Sequence, residues 1–134
     1  MTISEIIKKE GDYLEFVHTT HGVDVTCIIK RNSLDSLCGY VKLEKWNKFY
    51  KGGQWYDQDL EVSVHGGITY WVDGIIGFDC SHIGDLRPKM DPSGSHGTYR
   101  DMEFVKGECR KLADQIMELN IDEIRASKIS KIIE

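Results

Sequence analysis

The stretch that decides the fold is D-L-E-V-S-V-H-G-G-I-T-Y-W-V-D-G-I-I-G-F-D-C, residues 59–80. Apolar and polar residues alternate through its first seven positions, which is typical of a strand with one buried face. The dipeptides Gly66-Gly67 and Asp73-Gly74 are favoured in two-residue hairpin turns. The stretch therefore predicts a three-stranded antiparallel meander with strands at 59–65, 68–72 and 75–80.

The two turns predict which side chains share a face of this meander. With both turns in place, His65 lies opposite Ile68, and Ile68 lies opposite Asp79. We therefore expect His65 and Asp79 on one face, with backbones about 9.6 Å apart across two strand spacings. We expect the opposite face to belong to the core, and it carries Leu60, Val62, Val64, Thr69, Trp71, Ile76, Phe78 and Cys80.

Further elements are predicted upstream of the meander. Residues 3–9 predict a short helix with three isoleucines on one side. Residues 13–20 and 23–31 are rich in β-branched and aromatic residues and predict a hairpin around a His-Gly turn. Residues 36–43 predict another strand. Residues 44–57 combine aromatic residues and lysines without a clean period, so we expect a structured loop there.

A long amphipathic helix is predicted after the proline- and glycine-rich loop at 81–97. Thr98 is the expected N-cap, with Asp101 three residues later as a weaker form of capping box. Gly107 is expected to allow close packing, and the tail 120–134 is a candidate short extra helix. An apolar stripe at alternating spacings of three and four residues would cover the sheet; it comprises Met102, Val105, Cys109, Leu112, Ile116 and Leu119.

These patterns together predict one domain over residues 1–134, of the α+β class. Its antiparallel sheet would consist of the N-terminal hairpin and the three-stranded meander. One long C-terminal amphipathic helix would pack against that sheet. A length of 134 residues suits a single domain with its own core.

Composition and charge argue against several classes of protein. The chain has 22 acidic and 17 basic residues, a net charge of -5, whereas a protein that coats extended nucleic acid needs a basic stripe. No apolar run approaches the roughly 20 residues of a transmembrane helix, and the N-terminus lacks signal-peptide features. We therefore expect no membrane association and a cytoplasmic location. The four cysteines have no C-x-x-C spacing, which argues against a zinc ribbon or a redox pair.

Polar side chains gather at the end of the third predicted strand, in D-C-S-H-I-G-D at residues 79–85. We name His65, Asp79, His82 and Asp85 the His/Asp cluster, and we expect His82 or Asp85 to fold back toward the other two. Three interpretations stay open: a divalent metal such as zinc held by all four residues, a non-metal polar ligand, or a structural hydrogen-bond network. Strand alternation turns Cys80 away from His65 and makes it a poorer ligand.

The start of the long helix is a candidate anion site. The first turn of a helix offers unpaired N–H groups and a positive dipole end, and Arg100 adds a cation there. The candidate ligand-binding residues are therefore His65, Asp79, His82, Tyr99, Arg100 and Asp101.

Four blocks resemble a family of small proteins encoded by bacteriophages and prophages. They are C-G-Y-V at 38–41, D-x-x-V-x-V-H-G-G-I-T-Y at 59–70, G-F-D-C-S-H-I-G-D at 77–85 and T-Y-R-D-M-E-F-V at 98–105. The resemblance spans 36–119 and covers the His/Asp cluster. It implies an accessory protein in the cytoplasm of an infected bacterium rather than a part of the virion, and it brings no established activity.

Three functional hypotheses follow. In the first, the protein counters a host defence by binding a nucleotide-like or other anionic ligand, or a host protein, at the His/Asp cluster. In the second, the protein is a metal-dependent hydrolase whose catalytic candidates are the same four residues, which hold an ion that activates water. In the third, the loop 44–57 is a protein-interaction surface with Trp46 and Trp55 as anchors. Self-association is compatible with all three.

Overall fold

The computed structural model describes residues 1–54 and 60–133. It contains an antiparallel five-stranded sheet in the spatial order β1-β2-β3-β5-β4, with the helix α2 packed across one face. The α+β class is confirmed. In chain order the elements are α1 Ile3–Glu10, β1 Tyr13–Thr20, β2 Val23–Arg31, β3 Leu37–Lys42, β4 Tyr70–Val72, β5 Ile75–Asp79, α2 Met102–Glu118 and α3 Ile121–Ile133.

The N-terminal hairpin and the tail helix form as predicted. Thr20 lies opposite Val23, so His21 and Gly22 make a two-residue turn, and both have positive φ, as the primed hairpin turns require. The helix α3 continues the chain after α2 and buries Ile124. Within residues 1–54 and 60–133, no helix combines the length and apolar character that crossing a membrane would require.

The prediction of a first meander strand at 59–65 is wrong. Residues 60–64 lie outside the sheet, and their backbone is bonded instead to side chains of α2. Ser63 donates its N–H to Gln115 Oε1 at 2.7 Å and accepts from Gln115 Nε2 at 2.8 Å. His65 donates its N–H to Glu108 Oε1 at 2.8 Å. The prediction placed this segment beside residues 68–72, whereas the structure has β4 at the end of the strand order and the backbone of Ser63 and His65 bonded to helix side chains.

The turn after this segment also differs from the prediction. It is centred on His65-Gly66, and Gly67 donates its N–H to the Val64 carbonyl at 2.9 Å. The second predicted turn, Asp73-Gly74, is confirmed by the register of β4 and β5. Since His65 is not in a strand, the expectation that His65 and Asp79 share a sheet face is wrong.

Alternation along the strands gives the sheet a buried face beneath α2. Of the residues expected on the core side, only Thr69 is exposed; the others pack in the core or against it. Gly39 lies where the layers are closest: a Cβ there would come 2.5 Å from the Phe78 ring and 2.7 Å from Cys109 Sγ. All four cysteines are buried free thiols.

The other side of the sheet, which we name the open face, is exposed to solvent. Four of its large apolar side chains are exposed, from 44% at Tyr70 to 61% at Val17, whereas Ile28, Tyr40 and Ile75 are half-buried. By strand register, the residues on the open face include Tyr13, Val17, Ile28, Lys30, Cys38, Tyr40, Tyr70, Val72, Ile75 and Asp79.

The helix α2 begins later than predicted. Its N-cap is Asp101, which accepts from the Phe104 N–H at 2.8 Å. Thr98 instead exchanges backbone hydrogen bonds with Gly84 and Leu86, and this bridge holds it in an extended conformation. The predicted apolar stripe is buried as far as Ile116. Gly107 is exposed, and a Cβ there would meet nothing within 4 Å, so the expectation of close packing at this glycine is wrong.

Candidate functional site

The structure brings the His/Asp cluster together as two pairs. His65 Nε2 lies 2.9 and 2.8 Å from the two carboxylate oxygens of Asp85. His82 Nε2 lies 3.0 Å from Asp79 Oδ1. The two imidazole rings meet edge to face, with centroids 6.2 Å apart. Both His82 and Asp85 thus fold back from the end of β5, and the histidines link the two carboxylates.

Asp85 is the anchor of the first pair. Its side chain is fully buried and accepts hydrogen bonds from His65, from Arg100 Nε at 2.8 Å and from the His82 N–H at 3.1 Å. Burial alone would raise the pKa of this carboxyl, but the bonds from Arg100 and His65 outweigh it and hold the pKa below its usual value. Asp85 is therefore an anion at neutral pH that orients three donors.

Aromatic contacts fix the ring of His65 on its other side. The Phe104 ring packs edge-on against it at 5.2 Å between centroids, and the Arg100 guanidinium lies over the same Phe104 ring at 5.0 Å. Position 104 is in the first turn of α2, so this helix positions both His65 and Arg100. The Asp85–His65–Arg100 group is a rigid support rather than an open site.

The second pair is held less tightly. His82 is about one third exposed, and its Nε2, although close to Asp79, is not aligned for a hydrogen bond. Asp79 Oδ1 accepts from the Ser81 N–H at 3.0 Å instead. Gly66 supports the ring from behind, since a Cβ at that position would come 2.2 Å from His82 Cδ2. The Asp79–His82 pair is therefore held by fewer hydrogen bonds than the His65–Asp85 pair.

This pair lines a concave site on the open face, which we name the polar cleft. Its volume is about 420 Å³, within the range of small-molecule sites. The polar and aromatic groups that define it are Asn32, Tyr40, Tyr70, Asp79, Ser81 and His82.

Sequence reasoning missed four of these residues. Tyr40 lies beside Tyr70 because β3 and β4 both pair with Gly77 of β5, a long-range arrangement that no local pattern predicts. Asn32 follows β2 and donates to Ser81 Oγ at 3.2 Å. The only available signal was the presence of both tyrosines in the blocks C-G-Y-V and H-G-G-I-T-Y.

The predicted anion site at the start of α2 is occupied by the chain's own carboxylates. The Met102 N–H donates to Glu10 Oε2 at 2.7 Å, and the Phe104 N–H donates to Asp101. Glu10 also accepts from the Tyr99 hydroxyl, while Arg100 is committed to Asp85. Neither Tyr99, Arg100 nor Asp101 is among the residues that line the polar cleft, so a ligand-binding role for them stays a prediction.

The metal hypothesis also stays a prediction. Across residues 1–54 and 60–133, no group of three or more His, Cys, Asp or Glu side chains is arranged to hold a metal ion. Cys80 is buried on the core side, as its alternation predicted, and burial raises the pKa of its thiol. It is therefore a neutral thiol at physiological pH.

The aromatic loop is only partly described. Trp46 packs against the hydrophobic core and is half-buried, and Phe49 contacts Trp71 edge to face at 5.9 Å. Trp55 lies outside the described residues. The interaction surface predicted for 44–57 stays a prediction.

Comparison with known proteins finds no matching family model, no similar curated protein and no similar solved structure. The resemblance of the four sequence blocks to phage-encoded proteins stays a prediction.

Proposed function

We propose that this protein is a phage accessory protein that counters a host defence by binding a small nucleotide-like or other anionic ligand in the polar cleft. The observation that carries the proposal is that Asp79 and His82 line a cleft of ligand size, with His82 Nε2 shielded from solvent and without a hydrogen-bond partner in the described residues. The phage setting is supported by the sequence blocks alone.

The polar groups of the cleft suit a ligand that both accepts and donates hydrogen bonds. Tyr40 keeps its proton over the physiological range, because burial and the nearby Cys38 raise its pKa to about 12, so its hydroxyl can donate to an anion. His82 and Asn32 add nitrogen groups, and Asp79 is an acceptor. The lining of the cleft is mixed, with these polar groups beside Leu34, Cys38 and Phe78.

A rigid support stands behind the cleft. His82 rests on Gly66 and on His65, and His65 is held by Asp85 and Phe104. Ligand sites gain affinity when their side chains are already oriented before binding. The His65–Asp85 pair therefore helps to hold the Asp79–His82 pair in position.

A thermal-shift screen of cyclic and linear nucleotides, followed by calorimetric titration, tests the proposal. A ligand at about 100 times its Kd should add about 2.7 kcal/mol to the free energy of unfolding. Failure of every nucleotide and small anion to stabilise the protein would overturn the proposal.

Two neighbouring glycines provide a matched pair of variants. Gly66 and Gly67 both have positive φ, +68° and +79°, so alanine strains the backbone similarly at each. Only Gly66→Ala collides with the His82 ring, whereas a Cβ at Gly67 meets nothing within 4 Å. We expect Gly66→Ala to weaken ligand binding by about tenfold or more and Gly67→Ala to bind like the wild type. Equal affinity of the two variants would show that His82 is not part of the site.

A further inference from the structure

The polar cleft continues along the open face into a second hollow. This hollow has a volume of about 200 Å³ and is lined by Ile28, Lys30, Tyr40, Tyr70 and Ile75. Tyr40 and Tyr70 belong to both concavities. The two hollows therefore adjoin at this pair of tyrosines, and we name them together the depression.

The tyrosine pair offers an aromatic surface to solvent. Tyr40 and Tyr70 both lie opposite Gly77, and their rings meet edge to face with centroids 5.6 Å apart. Gly77 makes room for this arrangement, because a Cβ there would come 2.5 Å from Tyr40 Cδ1. Tyrosine rings exposed on an antiparallel sheet are surfaces on which nucleobases stack.

Lys30 places a cation at the far end of the depression. Strand register places it opposite Cys38, which lies opposite Asp79, so Lys30 and Asp79 share the open face about 9.6 Å apart in backbone position. Lys30 is exposed, and its ammonium makes no ion pair with any carboxylate in the described part of the chain.

We infer that the depression binds a single nucleoside monophosphate, with the base in the polar cleft against Tyr70 and the phosphate at Lys30. This inference rests on the proposed function and specifies its ligand. Asp79, an acceptor, would receive a hydrogen bond from an exocyclic amino group of the base, and Lys30 would neutralise the phosphate. Because the sugar separates base from phosphate, one molecule reaches both ends of the depression.

The charges on this face favour one nucleotide over a longer strand. Lys30 is the one cationic side chain that lines the second hollow in the described part of the chain. Lys42, opposite Ile75, is a further lysine of the open face outside this lining, and Glu15, opposite Ile28, places a carboxylate on the same face. A strand of several phosphates needs several cations along its path. A single phosphate needs only one.

Calorimetric titration with AMP, UMP, adenosine and ribose 5-phosphate tests the inference on the full chain. We expect AMP to bind more tightly than any of the other three probes. The variant Lys30→Gln should weaken AMP by about tenfold or more and leave adenosine unchanged. Tyr70→Ala should weaken AMP and adenosine alike. The control Lys45→Gln removes an exposed lysine of the 44–54 segment and should change neither.

The outcomes separate this inference from the broader proposal. If ribose 5-phosphate binds as tightly as AMP and Gly66→Ala weakens both, an anion site exists and the nucleotide inference is overturned. If AMP binds equally to the wild type and to Lys30→Gln, the placement of the phosphate is overturned. If none of the probes binds while a different nucleotide or anion from the screen does, only the inference fails. If nothing binds, both fail. Since Lys30 and Tyr70 are exposed, unchanged unfolding midpoints would exclude misfolding as the cause.

Discussion

His65 and Asp85 are 20 residues apart in sequence, yet one imidazole nitrogen of His65 lies within 2.9 Å of both carboxylate oxygens of Asp85. The contact joins the H-G-G turn to the loop after β5. Arg100 reaches the same carboxylate from the start of α2. One buried anion therefore connects three segments that the sheet does not connect.

Replacing this anion should destabilise the protein. Asp85→Asn removes the charge and leaves Arg100 without its buried partner, and we expect a loss of about 3 kcal/mol in the free energy of unfolding. Urea denaturation measures the loss. The control Asp73→Asn changes an exposed turn residue and should alter stability by no more than about 0.5 kcal/mol. Similar losses in the two variants would contradict the role assigned to Asp85.

The pH dependence of stability should include a measurable contribution from Asp85. Despite burial, its bonds to Arg100 and His65 lower its pKa in the folded state. Its stabilising contribution is therefore complete above the unfolded pKa of about 3.9 and is lost as the pH falls through the lower folded value. We expect the stability difference between wild type and Asp85→Asn to have its full value at pH 5 and to shrink below about pH 4.

This comparison isolates Asp85 from two other carboxyls. Bonds from His18 and Thr20 outweigh burial and lower the pKa of Asp114, and bonds from Ser93 and the His96 N–H lower the pKa of Asp91. The contributions of Asp114 and Asp91 are common to both proteins and cancel in the difference. A difference that stayed constant down to pH 2, measured by urea denaturation at each pH, would be incompatible with a lowered pKa at Asp85.

Replacing either of two glycines by alanine should change the stability of the protein, in opposite directions at the two positions. Gly39→Ala places a Cβ against the Phe78 ring and Cys109 Sγ, and overpacking of this kind costs about 1–3 kcal/mol. Gly107→Ala places a Cβ in open space on α2 and should stabilise the helix by up to about 1 kcal/mol. Thermal unfolding of both variants measures the two effects. A neutral Gly39→Ala would mean that the sheet and α2 are packed less closely than described.

The buried guanidinium of Arg31 should hold α1 in place. Its side chain is only 3% exposed and donates to the Gly11 carbonyl at 2.7 Å and to Tyr99 Oη at 3.0 Å. Arg31→Met leaves these acceptors unpaired, and we expect a loss of about 3 kcal/mol. The rate of hydrogen exchange at the α1 amides should also rise in this variant. The exposed Arg125→Met is the control, and equal exchange in both variants would disprove the link.

Most elements of this fold follow from local signals. The hairpin, α1 and the buried stripe of α2 are visible as periods of two and about 3.6 residues. The failure at residues 60–64 has a physical cause, because alternation reports which side chains are buried and not what bonds the backbone. The backbone partners of Ser63 and His65 are Gln115 and Glu108 of α2, which no pattern within the segment reveals.

The His/Asp cluster was predictable in its residues and not in its pairing, whereas four of the six residues that define the polar cleft were not predicted. Spacing identified all four members of the His/Asp cluster, but the expected neighbours His65 and Asp79 are linked only through His82. The polar cleft itself depends on β3 lying beside β5, which brings Tyr40 to Tyr70. The packing of the whole core determines such a strand order, and no single sequence motif predicts it.

Because all four cysteine thiols are buried, the reactivity of each thiol reports local opening of the native protein around it. Cys27 and Cys109 face each other between the sheet and α2, Cys38 lies in β3, and Cys80 follows β5. The thiolate is the nucleophile that attacks an alkylating reagent, so each sulfur reacts only when its surroundings open. Mass spectrometry of a brief alkylation pulse would therefore rank the opening of the helix–sheet layer, the central strand and the end of β5 without a single introduced label.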